Sequence, residues 1–118
     1  MSCLFDSLSY FIVYDSNQIR QKICDYLEEN KPLIDGLETN FILSLEDSTY
    51  VKNMRKRSQW GGGIEIQAAC NLWKLRIIVF DITSKSSNKP IEFLPLTENY
   101  IYTIRLTWNG YHYEPLHP

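Results

Sequence analysis

Apolar residues recur at helical spacing in the first dozen positions of the chain. Leu4, Phe5, Leu8, Phe11 and Ile12 fall at i, i+1, i+4, i+7 and i+8, one buried face of a helix. A second helix opens at Asp15-Ser16-Asn17-Gln18, where Asp15 or Ser16 can accept from the free N–H groups of the first turn. Ile19, Ile23, Tyr26 and Leu27 make its inward stripe. Lys31-Pro32 predicts its end, because the residue before proline disfavours the helical region. Asp35-Gly36 predicts a turn. Residues 37–45 are apolar but ambiguous, and Asp47-Ser48 then offers a cap for a short helix through about Met54. Ile64, Gln67, Ala68, Asn71 and Leu72 predict a further helix, small-sided at Ala68-Ala69-Cys70 and suited to close packing.

From there the pattern becomes that of strands. Leu75 to Phe80 is rich in β-branched and aromatic residues and predicts a buried strand. Ile91 to Leu94 predicts a short strand and Tyr100 to Trp108 a longer one. Ser84 to Pro90 reads as an exposed loop, since too little chain follows it to build a second core. Asn109-Gly110 is a strong two-residue hairpin signal. It predicts Trp108 opposite Tyr111, Thr107 opposite His112, Leu106 opposite Tyr113 and Arg105 opposite Glu114. Alternation then sets His112 and Glu114 on one face with Thr103, Arg105 and Thr107, and Tyr111, Tyr113, Leu106 and Ile104 on the other. The expectation is an α/β (α+β) fold, one domain over residues 1–118, with no internal repeat.

Composition narrows the classes. At 118 residues, 44% apolar and 14% aromatic, the chain can bury a core without staples. A formal net charge of −2 gives no electrostatic case for nucleic acid as partner. Cys3, Cys24 and Cys70 are an odd number at wide spacings, which fits a reducing compartment better than a disulfide framework and offers no zinc pair. No signal peptide pattern is visible, and no stretch reaches the roughly 20 apolar residues of a membrane span. The chain reads as soluble, intracellular and cytoplasmic.

Candidate chemistry lies at the two ends. Cys3 sits at the N-terminus of the first helix, where free N–H groups and the positive end of the macrodipole stabilise an anion. It is either a structural residue or a nucleophile. Glu114, two residues from His112 on the same face, can reach the second ring nitrogen and fix the tautomer, or can pair across the strands with Arg105. Alone, a histidine in an edge hairpin is more often a surface residue. His117, near the chain end, carries little weight. Cys24 reads as a small core residue. Met54-Arg55-Lys56-Arg57 reads as a solvated loop or a contact for a polar protein partner. Trp60-Gly61-Gly62-Gly63 lets another chain approach closely, and it lacks the flanks of a phosphate loop.

Together these stretches resemble the OTU (ovarian tumour) family of papain-like deubiquitinating cysteine proteases. The blocks, in family order, are Cys3-Leu4-Phe5-x-Ser7-Leu8, then Ile19-Arg20 to Leu27, then Tyr50-Val51-x-x-Met54. Trp60-Gly61-Gly62-x-Ile64-Glu65-Ile66-Gln67-Ala68 is the most specific piece; Ile77-x-Val79-Phe80, Ile104-x-Leu106 and His112-Tyr113-Glu114 follow. The resemblance implies a small central, mostly antiparallel sheet flanked by helices, with the nucleophile at a helix N-terminus and the histidine on a C-terminal hairpin. It also implies hydrolysis after the C-terminal Gly-Gly of ubiquitin or a ubiquitin-like protein.

In that scheme Cys3 attacks, His112 is base and then acid, and Glu114 orients His112. Trp60, Gly61, Gly62 and Tyr111 border the channel for the tail. No cofactor or metal is implied. The expected partners are ubiquitin or ubiquitin-like conjugates, met by a monomer, without nucleic acid or membrane. So compact a version resembles those of viruses or mobile elements. Two departures stand out. Only Met1 and Ser2 precede Cys3 where the family has Asp-Gly-Asn, so an oxyanion donor is expected to be lost, at a cost of roughly a hundred- to a thousandfold in rate. Glu114 stands where Asp or Asn is commoner. A weakly active or inactive ubiquitin-binding module, and a scaffold unrelated to ubiquitin, stay open as alternatives.

Overall fold

The structure, a computed structural model, describes residues 2–83 and 89–116. Most of the loop read at Ser84 to Pro90, and His117, lie outside the described residues.

Among the described residues five helices precede the sheet: α1 (Cys3–Ser9), α2 (Ser16–Glu28), α3 (Thr39–Glu46), α4 (Tyr50–Met54) and α5 (Gly63–Trp73). α1 is shorter than its apolar period. Phe11 and Ile12 fall in the turn after it, half-buried, with their N–H groups still reaching the Leu8 carbonyl at 3.0 and 3.1 Å. Asp15, not Ser16, caps α2: its carboxylate accepts from the Gln18 N–H at 2.8 Å, and the Gln18 side chain accepts from the Asp15 N–H at 3.0 Å. Ile19, Ile23, Tyr26 and Leu27 are buried, as the stripe predicted. α2 stops before Lys31-Pro32 because Asn30 takes a left-handed φ of 57°, a conformation that asparagine tolerates. The ambiguous apolar run becomes α3, of which only Thr39 and Leu43 are buried.

The described residues form four strands, β1 (Leu75–Asp81), β2 (Ile91–Phe93), β3 (Tyr102–Trp108) and β4 (Tyr113–Pro115), in the order β2-β1-β3-β4. Both outer pairings are antiparallel, while the long central pair β1–β3 is parallel from Leu75↔Tyr102 to Asp81↔Trp108. Ile77, Val79, Ile104 and Leu106 turn one face of that pair into the core. Leu4, Phe5 and Leu8 of α1, Ile19, Ile23 and Leu27 of α2, and Ile66, Ala69 and Cys70 of α5 close over it. Each aliphatic side chain taken fully from water there contributes about 1.5–3 kcal/mol.

The hairpin corrects the predicted register. Leu106 lies opposite Pro115, Thr107 opposite Glu114 and Trp108 opposite Tyr113, two residues out from the expectation. The Asn109 side chain causes the slip. Its Oδ1 accepts from the N–H groups of both Tyr111 and His112, at 3.0 and 2.9 Å, so the turn spends four residues instead of two. Gly110, at φ 105°, supplies the left-handed step. Because the slip is even, Glu114 keeps the face expected of it, but Tyr111 and His112 belong to the turn. Arg105 no longer faces Glu114.

Candidate active site

Cys3 is the first residue of α1 and is half-exposed. Ser7, one turn later on the same helix face, is buried and donates its hydroxyl to the carbonyl of Tyr113 at 3.1 Å. Tyr113 follows His112 directly, and α1 packs along β4 through this contact. Two ends of the sequence, 106 positions apart, are thereby joined next to the candidate cysteine and histidine. The Tyr113 ring stacks on Trp108 with centroids 4.5 Å apart. Burial pushes its phenol above the usual range, and the neighbouring charges of Cys3 and then Glu65 push it the same way.

His112 and Glu114 meet. The imidazole Nε2 lies 3.5 Å from Glu114 Oε1, with both side chains substantially exposed. That separation lets the carboxylate orient the ring and leaves Nδ1 unassigned by the pair. The competing ion pair of Glu114 with Arg105 is absent among the described residues.

The Trp60-Gly61-Gly62 stretch lies between α4 and α5. Its glycines differ. A Cβ on Gly61 would sit 2.8 Å from Leu4 Cδ2 and 2.9 Å from Phe5 Cζ, so this glycine exists to press against the turn that begins with Cys3. A Cβ on Gly62 would meet nothing within 4 Å. Gly62 thus faces open space beside a groove of about 380 Å3 lined by Tyr50, Met54, Trp60 and Glu65 among others. Trp60 is partly exposed, and Tyr111 projects from the hairpin turn at 71% exposure.

The sequence blocks contain Tyr50, Glu65 and Arg20, but sequence reasoning gave them no role in holding this stretch. Glu65 is 1% exposed. Its carboxylate accepts from the Gly62 N–H at 2.8 Å and from the Tyr50 hydroxyl at 2.6 Å, capping α5 and tying it to α4. Burial raises the Glu65 carboxyl above its ordinary range, although Tyr50 and Gly62 oppose the rise; burial first, and then Glu65, drives the Tyr50 phenol upward. Arg20, also 1% exposed, lies over Phe5 and reaches the segment before Trp60. Both residues stand inside the family-like blocks of the sequence, but by itself a charged residue beside an apolar stripe ordinarily reads as a solvated flank. The basic cluster is also partly structural: Arg55 pairs with Asp25 and Glu28 of α2 at 2.8 and 2.5 Å. Among the described residues no cluster of three or more His, Cys, Asp or Glu is placed to hold a metal ion. None of the described helices is long and apolar enough to cross a membrane.

A family model described as OTU-like cysteine protease matches residues 2–113. The chain is 29% identical over 121 residues to the ovarian tumor domain-containing deubiquitinating enzyme 9 of Arabidopsis thaliana, covering 99% of this chain and 33% of that protein. It is 28% identical over 116 residues to the ubiquitin thioesterase OTU1 of Dictyostelium discoideum, covering 98% and 34%. It therefore spans about a third of the length of these curated relatives. Among solved structures, an ovarian tumor (OTU) domain in complex with ubiquitin superposes with a TM-score of 0.75 at 25% identity, covering 97% of this chain and 62% of that one.

Proposed function

The chain belongs to the OTU-like cysteine protease family, and on that premise we propose that it is a deubiquitinase that hydrolyses the isopeptide bond after the C-terminal Gly-Gly of ubiquitin or a ubiquitin-like protein. The observation that carries this reading is the Ser7–Tyr113 hydrogen bond, which lays the helix headed by Cys3 against the strand that follows His112. The relatives' names and the ubiquitin-bound neighbour supply the substrate class.

In the proposed mechanism His112 takes the proton of Cys3 and the sulfur attacks the carbonyl of the terminal glycine. Glu114 occupies the side of Nε2, which leaves Nδ1 to exchange protons with the sulfur. His112 then gives its proton to the departing lysine amine as the thioester forms. Water attacks that thioester with His112 again as base, releasing the glycine carboxylate and the thiol. Gly61 keeps the channel wall close to α1, while Gly62, Trp60 and Tyr111 border the tail. A reducing compartment keeps the thiol available.

The test is an electrophilic probe built on a ubiquitin C-terminus. Covalent labelling of the wild type, lost in Cys3→Ala and in His112→Ala, supports catalysis. Ubiquitin binding without labelling assigns the chain to a binding module instead. Absence of both removes ubiquitin from the account.

A further inference from the structure

Arg20 is a buried guanidinium that donates to several main-chain carbonyls. Nη1 donates to the Met54 carbonyl at 2.7 Å. Nη2 donates to the Gln59 carbonyl at 2.9 Å, the Arg57 carbonyl at 3.3 Å and the Ser2 hydroxyl at 3.2 Å. Its plane lies over Phe5, with Cζ 4.2 Å from the ring centroid. Burial lowers its pKa, and Cys24, Glu65 and Asp6 oppose that shift. Desolvating a guanidinium is expensive unless its donors are used. Here they are spent on two segments that flank the candidate nucleophile. Ser2 is the residue before Cys3, and Met54 to Gln59 is the run that delivers Trp60 and Gly61. Ser2 also donates to the Arg57 carbonyl at 3.3 Å, closing the cluster. Gly61 touches the same Phe5 ring that Arg20 covers.

We infer that Arg20 is a positioning residue for the proposed reaction. By pinning Ser2 and the carbonyls of Met54, Arg57 and Gln59 to one planar group seated on Phe5, it fixes Cys3 relative to the glycine stretch. A planar fork can hold several divergent acceptors at once, whereas an ammonium is a point charge on a flexible stem. The inference rests on Cys3 being the nucleophile, so its test carries one readout that needs no ubiquitin.

That readout is the rate at which iodoacetamide alkylates Cys3 in the folded full chain. Protection of Cys24 and Cys70, both fully buried, reports that the fold is intact. Arg20→Lys is expected to change the Cys3 rate by about threefold or more while Cys24 and Cys70 stay unlabelled, since a displacement near 1 Å is enough to alter reactivity strongly. On a fluorogenic ubiquitin C-terminal amide, the same variant is expected to lose about tenfold or more in kcat with KM within about twofold. An unchanged Cys3 rate in a folded Arg20→Lys protein overturns the inference. So does a loss confined to KM. Should Arg20→Lys expose Cys24 and Cys70, Ser2→Ala replaces it, removing one acceptor without touching the core. A Cys3 rate altered by about twofold then supports positioning, and an unaltered one overturns it. A wild type inert toward the ubiquitin substrate defeats the deubiquitinase reading alone; the alkylation rates still decide the role of Arg20.

Discussion

The hydroxyl of Ser7 donates to the carbonyl of Tyr113 at 3.1 Å, one turn past Cys3 and one residue past His112. This bond crosses from the first helix to the last strand, and Ser7 is 2% exposed. Ser7→Ala leaves the Tyr113 carbonyl short of a partner where water enters poorly. The expected cost is about 1–3 kcal/mol in denaturant unfolding. Turnover on the ubiquitin substrate should fall more than KM rises, because the substitution loosens the approach of the elements that carry the proposed nucleophile and base and removes no proposed substrate contact. An unfolding midpoint equal to wild type would show that the contact is not maintained in solution.

Gly61 and Gly62 are neighbours in sequence with opposite surroundings, so the same substitution should fail in different ways. Gly61→Ala drives a methyl group into Leu4 and Phe5 at under 3 Å. It is expected to cost about 1–3 kcal/mol of stability, as overpacking of a filled interior does. Gly62→Ala meets nothing within 4 Å and its φ of −152° is ordinary extended backbone. Stability should stay within about 0.5 kcal/mol of wild type, while kcat/KM falls if the tail of ubiquitin passes there. Thermal melts and steady-state rates on the pair separate packing from passage.

Three thiols, two environments, give a pH prediction. Cys24 and Cys70 are fully buried, and burial pushes each up to about 12. Their folded values thus lie above the roughly 8.5 of an unfolded cysteine. Stability linked to these neutral thiols is fully present below about pH 8.5 and is lost as pH climbs towards 12. Between about pH 8.5 and 9.5, below the tyrosine range, wild type should lose stability more steeply than a Cys24→Ala, Cys70→Ala variant. Equal slopes in urea titrations across that interval would contradict the burial of these two side chains.

Much of the architecture was legible because burial and periodicity are local statements. Ile19, Ile23, Tyr26 and Leu27 declare the inner face of α2 by spacing alone, and Leu75 to Phe80 declare a strand by composition. The hairpin register was not legible. Asn109-Gly110 signals a turn, but whether the asparagine supports it through its backbone or its side chain decides between two residues and four, and only the folded context selects. Buried charge was the other blind spot. Arg20 and Glu65 look like solvated flanks until Met54, Gln59, Gly62 and Tyr50, all more than a dozen residues from Arg20 or Glu65 except Gly62, arrive to use their polar atoms. The candidate cysteine and histidine were nameable from their blocks, whereas the Ser7 contact that joins their elements depends on a pairing 106 positions apart.

The corrected register also sharpens what Glu114 should do. With Thr107 opposite it, the carboxylate has no cross-strand arginine, and the group it meets is His112 Nε2 at 3.5 Å. Because both side chains are substantially exposed, the pairing is screened by water and its influence is modest. Glu114→Gln keeps size and removes charge, and it is expected to lower kcat about two- to fivefold with KM nearly unchanged, in keeping with the small worth of exposed ion pairs. His112→Ala should abolish turnover, as loss of the proposed base requires. Arg105→Ala is the control: under the two-residue turn it would have removed the partner of Glu114, and under the observed four-residue turn it should leave both rate and stability near wild type. If Arg105→Ala reproduces the loss seen in Glu114→Gln, the carboxylate belongs to the arginine after all, and His112 must be oriented by something other than its neighbour two residues on.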